Sequence, residues 1–217
     1  MQGDLLRTVK PRRGRPKADP NIQRNKIFIA TMEILLQSGY QKATTLSIAK
    51  ASGISKNTLY SHFRSKEVLF TALIKNRMTA VNDFLAAAIE DTSLDLEEVL
   101  KHFSRLVLGQ LTSEISVAMN RACMTAASSQ GLALSRTYFK YGHEPIREKL
   151  KAILERARTN GIITFDDIDE VYQTLFGLIY GDLHMRRLLG IASMPDKKQI
   201  EDKAEKAIEK FMKLFTP

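Results

Sequence analysis

The stretch Thr44–Phe70, TTLSIAKASGISKNTLYSHFRSKEVLF, decides how this chain is read. Thr45 is placed to cap a short helix whose inward residues are Leu46, Ile48 and Ala49, and small Ala49 lets a crossing helix approach. Gly53 supplies a tight turn, which Ile54 plugs from below. Ser55 caps a second short helix, with Leu59 and Phe63 directed to the core. That leaves Lys56, Asn57, Thr58, Tyr60, Ser61 and His62 on its outer face. Two short helices about a glycine-containing turn, the second polar on its outside, form a helix-turn-helix.

In such a unit the second helix lies in the major groove of DNA, with its N-terminal residues at base edges. Asn57 can hydrogen-bond base edges, and Lys56 can reach guanine acceptors or a phosphate. Thr45, Tyr60, His62 and Lys66 offer donors to phosphate oxygens, contacts that set register rather than sequence. Three of these have a plainer reading: His62 as a surface residue closing the helix, Tyr60 as core, Lys66 as a solvated lysine.

The charge distribution agrees with a polyanion partner. Residues 1–70 hold thirteen Lys and Arg against four Asp and Glu, while the rest of the chain holds twenty of each. The whole excess of +9 therefore sits in the first third, the footprint of a nucleic-acid module. Residues 1–20 read as a flexible basic arm, broken by Pro11, Gly14, Pro16 and Pro20. Within it Arg13-Gly14-Arg15-Pro16 has two readings. It is an AT-hook-like element whose arginines enter narrow minor grooves, or a disordered arm adding non-specific attraction.

From the first helix through Phe70 the sequence resembles the TetR family of bacterial transcriptional regulators. The match is carried by Ile48-Ala49, Ser52-Gly53-Ile54-Ser55, Thr58-Leu59-Tyr60, His62-Phe63 and Ser65-Lys66-Glu67, and it spans residues 24–75, about a quarter of the chain. The resemblance implies an all-α fold of nine or ten helices, a homodimer on a palindromic double-stranded DNA operator, and a ligand pocket in the C-terminal domain. It also implies phosphate contacts from Thr45, Tyr60, His62 and Lys66, and a major-groove face of Lys56, Asn57, Thr58 and Ser61. Repression is the family's leaning; activation stays open.

Outward from the motif, a first helix is expected from Asn21 to Ser38-Gly39, with Ile27, Ala30, Thr31, Ile34 and Leu35 as one apolar stripe. Residues 21–65 make the DNA-binding domain, and 66–217 a ligand-binding and dimerisation domain. Its helices are expected at 66–91, 95–111, 114–128, 132–141, 145–159, 166–190 and 196–215. The last helix repeats Ile200, Ala204, Ala207, Phe211 and Leu214 at spacings of four and three, a coiled-coil-like seam. With Leu175 and Ile179 of the preceding helix, Ile200, Ala204 and Phe211 are expected at a four-helix dimer interface. Phe103, Met119, Cys123, Tyr138, Phe176 and Tyr180 are expected to line a pocket for a small lipophilic or aromatic molecule. The bland reading of each is core. Asp182 is expected to pair with Arg186.

The sequence disfavours an enzyme. It contains no glycine-rich phosphate loop, nucleophile elbow or helical metal-binding His-Glu pair. Cys123, the sole cysteine, lies in an apolar helix without a neighbouring base. His102, His143 and His184 fall on separate helices, so neither metal nor cofactor is expected. With no apolar run of ~20 residues and no signal-like N-terminus, no membrane partner and a cytoplasmic location are expected. An architectural DNA binder without a ligand is the remaining competitor, but it does not need more than a hundred neutral C-terminal residues.

Overall fold

The computed structural model describes residues 19–129 and 132–217. Among them are eleven α-helical segments and no strand. They are α1 (Pro20–Lys42), α2 (Thr45–Ser52), α3 (Lys56–His62), α4 (Lys66–Glu90), α5 (Leu96–Thr112), α6 (Glu114–Ser129), α7 (Ala133–Tyr138), α8 (Glu144–Thr159), α9 (Ile168–Tyr180), α10 (Leu183–Leu189) and α11 (Lys197–Phe215). The basic arm, Arg13 and Arg15 included, lies outside the described residues.

Local chemistry explains most boundaries. Asp19 caps α1, accepting from Asn21 N, with Pro20 in the first turn. Gly39 breaks the regular geometry of α1 at φ 76°, a left-handed conformation suited to glycine. Ser65 caps α4 by accepting from Val68 N, and Asp196 closes a reciprocal box with Gln199 at the start of α11.

Two hydrophobic cores are strung along α4. The first gathers Ile27, Leu35, Ile48, Leu59 and Phe63 around Leu69, Phe70, Leu73 and Ile74 of α4. It also takes Ile115, Met119 and Cys123 of α6 and Tyr138 of α7. The second gathers residues of α5, α8, α9 and α11 around Met78, Val81, Leu85 and Ala88, the following turns of α4. One helix thus runs from the first core into the second.

The packing departs from three expectations. The apolar run 166–190 is not one helix: it breaks at Gly181, whose φ 51° and ψ −135° are open essentially only to glycine. Hydrophobicity continues on both sides, so periodicity alone hid the break. The turn brings Arg187 inward. Its guanidinium, 6% exposed, donates to Thr112 O at 3.0 Å, Ala192 O at 2.9 Å and Glu114 Oε1 at 2.6 Å. Arg121 of α6 donates to Leu188 O at 2.9 Å, so α10 is fastened to the α5–α6 corner. Asp182 and Arg186 make the expected i,i+4 pair at 3.9 Å, both exposed.

Leu175, Ile179, Ala204 and Phe211 are the second correction. Each is fully buried within the chain, where α9 and α11 pack on α5. The alternating spacing serves this intrachain seam and leaves those four side chains no surface for a second protomer. Of the expected set only Ile200 is partly exposed. Third, Leu46 points outward and is 67% exposed, because α2 turns only Ile48 and Ala49 to the core.

Candidate nucleic-acid interface and ligand cavity

The N-cap of α2 is Thr44 rather than Thr45. Thr44 Oγ1 accepts from Ser47 N, and Ser47 Oγ accepts from Thr44 N. The signal was in the sequence, since Thr44 and Ser47 have capping-box spacing with serine in place of the usual Glu or Gln. Thr45 is thereby released to the surface, where its hydroxyl lies 3.3 Å from Tyr60 Oη across the turn. Gly53, at φ 67°, makes the left-handed turn between α2 and α3.

Ser55 caps α3 as expected, accepting from Thr58 N at 3.0 Å and meeting Thr58 Oγ1 at 2.9 Å. Leu59 alone of α3 is buried, followed by Phe63 at its C-cap. Lys56, Asn57, Tyr60 and Ser61 are exposed and Thr58 half-buried. The Lys56 ammonium lies 5.7 Å from the Tyr60 ring centroid.

His62 and Lys66 are more engaged than the sequence implied. His62 Nε2 lies 3.0 Å from Gln23 Oε1, tying α3 to α1. Lys66 donates to Tyr40 O at 2.5 Å and sits 3.7 Å over the Tyr40 ring. Partial burial lowers the Lys66 ammonium below the usual lysine range. Sequence reasoning missed Tyr40 and Gln23, which hold these two side chains, and also Lys42 and Arg64, exposed cations flanking α2 and α3. No spacing rule joins residues on different helices.

The six expected pocket residues divide. Tyr138, Phe176 and Tyr180 line a narrow cavity of about 20 Å³ together with Met78, Gln110 and His143. Met119 shares with Tyr138 a second one of about 10 Å³, against Leu73 and Arg77. Phe103 lies behind the lining, edge-on to Phe176 at 5.9 Å. Cys123 packs in the first core with its carbonyl bound by Ser135, and burial pushes its thiol up to about 11, which keeps it protonated and inert. Burial likewise pushes the Tyr138 phenol up to about 12 and His143 below the usual histidine value. The cavity as it stands has room for about one water, so any larger molecule must spread its walls.

A glycine-turned helix pair presents a cationic and amide-bearing face beside an all-helical body. These features define a helix-turn-helix transcriptional regulator. Residues 27–73 match the family model described as bacterial regulatory proteins of the tetR family, and residues 98–217 the one described as the C-terminal domain of AefR-like transcriptional repressors. The chain belongs to the TetR family.

It is 25% identical over 178 residues to an uncharacterized HTH-type transcriptional regulator, YvkB of Bacillus subtilis (strain 168), covering 81% of this chain and 90% of that one. Among solved structures, a TetR transcriptional regulator from Agrobacterium tumefaciens superposes with a TM-score of 0.69 at 27% identity, over 89% of this chain and 94% of the other. The Flavonoid-responsive Regulator FrrA superposes with a TM-score of 0.66 at 28% identity, over 91% and 98%. These relatives are regulators rather than enzymes. Among the described residues no helix is long and apolar enough to cross a membrane.

Proposed function

We propose that this regulator is a repressor that binds a palindromic operator as a homodimer and is released by a small lipophilic or aromatic ligand. The observation that carries the reading is the face of α3, where Lys56, Asn57 and Ser61 stand exposed on a helix capped by Ser55. Lys56 and Asn57 read base edges with Thr58 and Ser61 beside them, and Ser55 fixes the helix start. Thr45, Tyr60, His62 and Lys66 hold phosphates, the last two by exchanging Gln23 and Tyr40 O for phosphate oxygens. Arg13 and Arg15 add attraction from the arm.

Dimerisation uses the outer side of α9–α11 rather than the buried seam. Met185, Leu189, Ile191 and Met194 are exposed there, beside half-buried Leu178. A second copy covers such a patch through a two-fold axis, placing two α3 helices ~34–36 Å apart. A ligand responder is supported by the cavity beside α4 and by the described responsiveness of the similar regulator FrrA to flavonoids.

Selection from random duplex DNA, followed by affinity measurement, tests the reading. An inverted repeat should emerge. Asn57→Ala should cost ~1–3 kcal/mol and relax preference at one position of each half-site. Selection of no repeat, or an Asn57→Ala protein with unchanged preference, sinks it.

A further inference from the structure

We propose that Arg77 anchors a small organic monocarboxylate whose apolar body enters the cavity between α4, α5, α6 and the α7–α8 turn. This rests on the ligand-responsive reading and names the ligand's chemistry.

Arg77 lies midway along α4, where the first core gives way to the second, and its side chain faces the cavity lined by Leu73, Met78, Met119 and Tyr138. Its hydrogen bonds go to neutral groups alone: Nη2 donates to Gln110 Oε1 at 2.9 Å and to Ser113 Oγ at 3.3 Å. Nε is buried and has no partner. Among the described residues no carboxylate forms an ion pair with Arg77, whereas Arg147, Lys151 and Arg187 each meet an Asp or Glu. Burial lowers the Arg77 pKa, and only the Tyr138 phenol opposes it. A partly buried guanidinium compensated only by an amide and a hydroxyl is an unfinished ion pair.

The geometry of the gap defines what completes it. Nε and Nη2 form one edge of the guanidinium plane, the edge that takes a carboxylate in two parallel hydrogen bonds. One of these donors is free and the other is shared between two neutral acceptors. No second Lys or Arg lines either cavity, so the charge balance suits one negative charge rather than a phosphate dianion. The two cavities share Met78, Gln110, Ser116 and Tyr138 as walls. Displacing those shared walls joins them into one slot leading from Arg77 to Phe176 and Tyr180, cationic at one end and aromatic at the other. The chain opposite α4 passes through a π-helical turn, Phe139–His143, an irregularity that widens locally without breaking the helix.

Occupation of the slot reaches the DNA face directly. Arg77 is eleven residues beyond the start of α4 at Lys66. Met119 and Tyr138, on the opposite wall, pack in the same core as Leu59 and Phe63 of the recognition helix region. A carboxylate drawn to Arg77 displaces the Gln110 amide and pushes α6 and the α7 turn from α4, so the platform under α3 shifts. DNA and carboxylate then oppose one another reciprocally.

Calorimetric titration of the full chain with octanoate and 3-phenylpropionate, each beside its alcohol, tests this. We expect at least one acid to bind about tenfold or more tightly than its alcohol, the factor set by a charge-assisted pair. Arg77→Met and Arg77→Gln should abolish that preference and leave the alcohol unchanged, with helicity by circular dichroism confirming the fold. If Arg77→Met unfolds, Arg77→Gln, which retains hydrogen-bonding capacity, decides the question. Neither acid binding, equal binding of acid and alcohol, or a folded variant that keeps the preference would each overturn the proposal. DNA release is read separately. Acids that bind through Arg77 but leave operator affinity unchanged uphold the anchor and sink the ligand-release reading. Release by a neutral lipophilic compound alone does the reverse.

Discussion

The core around Phe63 is assembled from short helices, and the core around Phe211 from long ones. α2 and α3 have eight and seven residues, too short to hold helical structure alone in water. They persist because Ile48, Ala49, Leu59 and Phe63 are buried in the core that α1, α4 and α6 share, and because Thr44 and Ser55 satisfy N–H groups in their first turns. α5, α8 and α11, at 17, 16 and 19 residues, present wide apolar stripes to the second core. The two regions also treat charge differently. In the C-terminal body Asp169 is met by both Arg147 and Lys151, and Lys101 by Glu97 and Glu98. On α3, among the described residues, Lys56 meets only the ring of Tyr60. His62 and Lys66, by contrast, are held by Gln23 and Tyr40 O, and the short helices draw their stability from beneath. What lies beneath is α1, which packs on α6 in the same core, so α3 is tied to the C-terminal body through α1.

Opening each core in turn should have the largest effects. Phe63→Ala and Phe211→Ala each remove a side chain at most 2% exposed and should cost about 3–5 kcal/mol. Their footprints in hydrogen exchange should differ. Phe63→Ala should deprotect α2 and α3 first and abolish DNA binding. Phe211→Ala should deprotect α5, α9 and α11 first. Equal deprotection of both regions by both variants would mean a single cooperative core.

A smaller effect is expected at the corner that fastens α10. Arg187→Met leaves the carbonyls of Thr112 and Ala192 without their donor, a loss of about 1–3 kcal/mol in urea unfolding. Glu114→Gln should cost less, because Glu114 is 65% exposed and water can replace the arginine. If Glu114→Gln cost as much as Arg187→Met, the ion pair rather than the carbonyl bonds would hold the corner.

The smallest expected effect is on the pH dependence of the C-terminal body. Burial depresses the folded pKa of His143 below its unfolded value of 6.5. A neutral histidine in the fold contributes stability present above pH 6.5 and lost as pH falls from there toward the depressed folded pKa, because the unfolded state takes up the proton first. His143→Gln should flatten that part of the melting-temperature profile. The opposite outcome, a steeper acid limb in the variant, would show that His143 is protonated in the fold.

How far the sequence was legible varies by region for physical reasons. Thr44–Phe70 was read almost residue by residue, because caps, a glycine turn and two short helices are local events. Even there Thr44 displaced Thr45 as the cap, and Leu46 faced out. Helix breaks were less legible: Gly181 interrupts an apolar run that reads the same on either side. The spacing of Ala204, Ala207 and Phe211 marked an apolar seam correctly but not its partner, since a helix stripe specifies that it is buried and not against what.

The class of fold, the helix-turn-helix, the polar outer face of α3 and the confinement of excess positive charge to one end are written in the chain. Those follow from periodicity, capping and composition, which are properties of neighbours along the chain. Long-range packing set the rest: α9 and α11 spend their seam on α5, His62 and Lys66 are held by Gln23 and Tyr40, and Arg77 lines a small cavity with an amide and a hydroxyl as its acceptors. Each of these depends on residues far apart in the chain meeting at a few ångströms, and no local pattern records which distant side chain arrives.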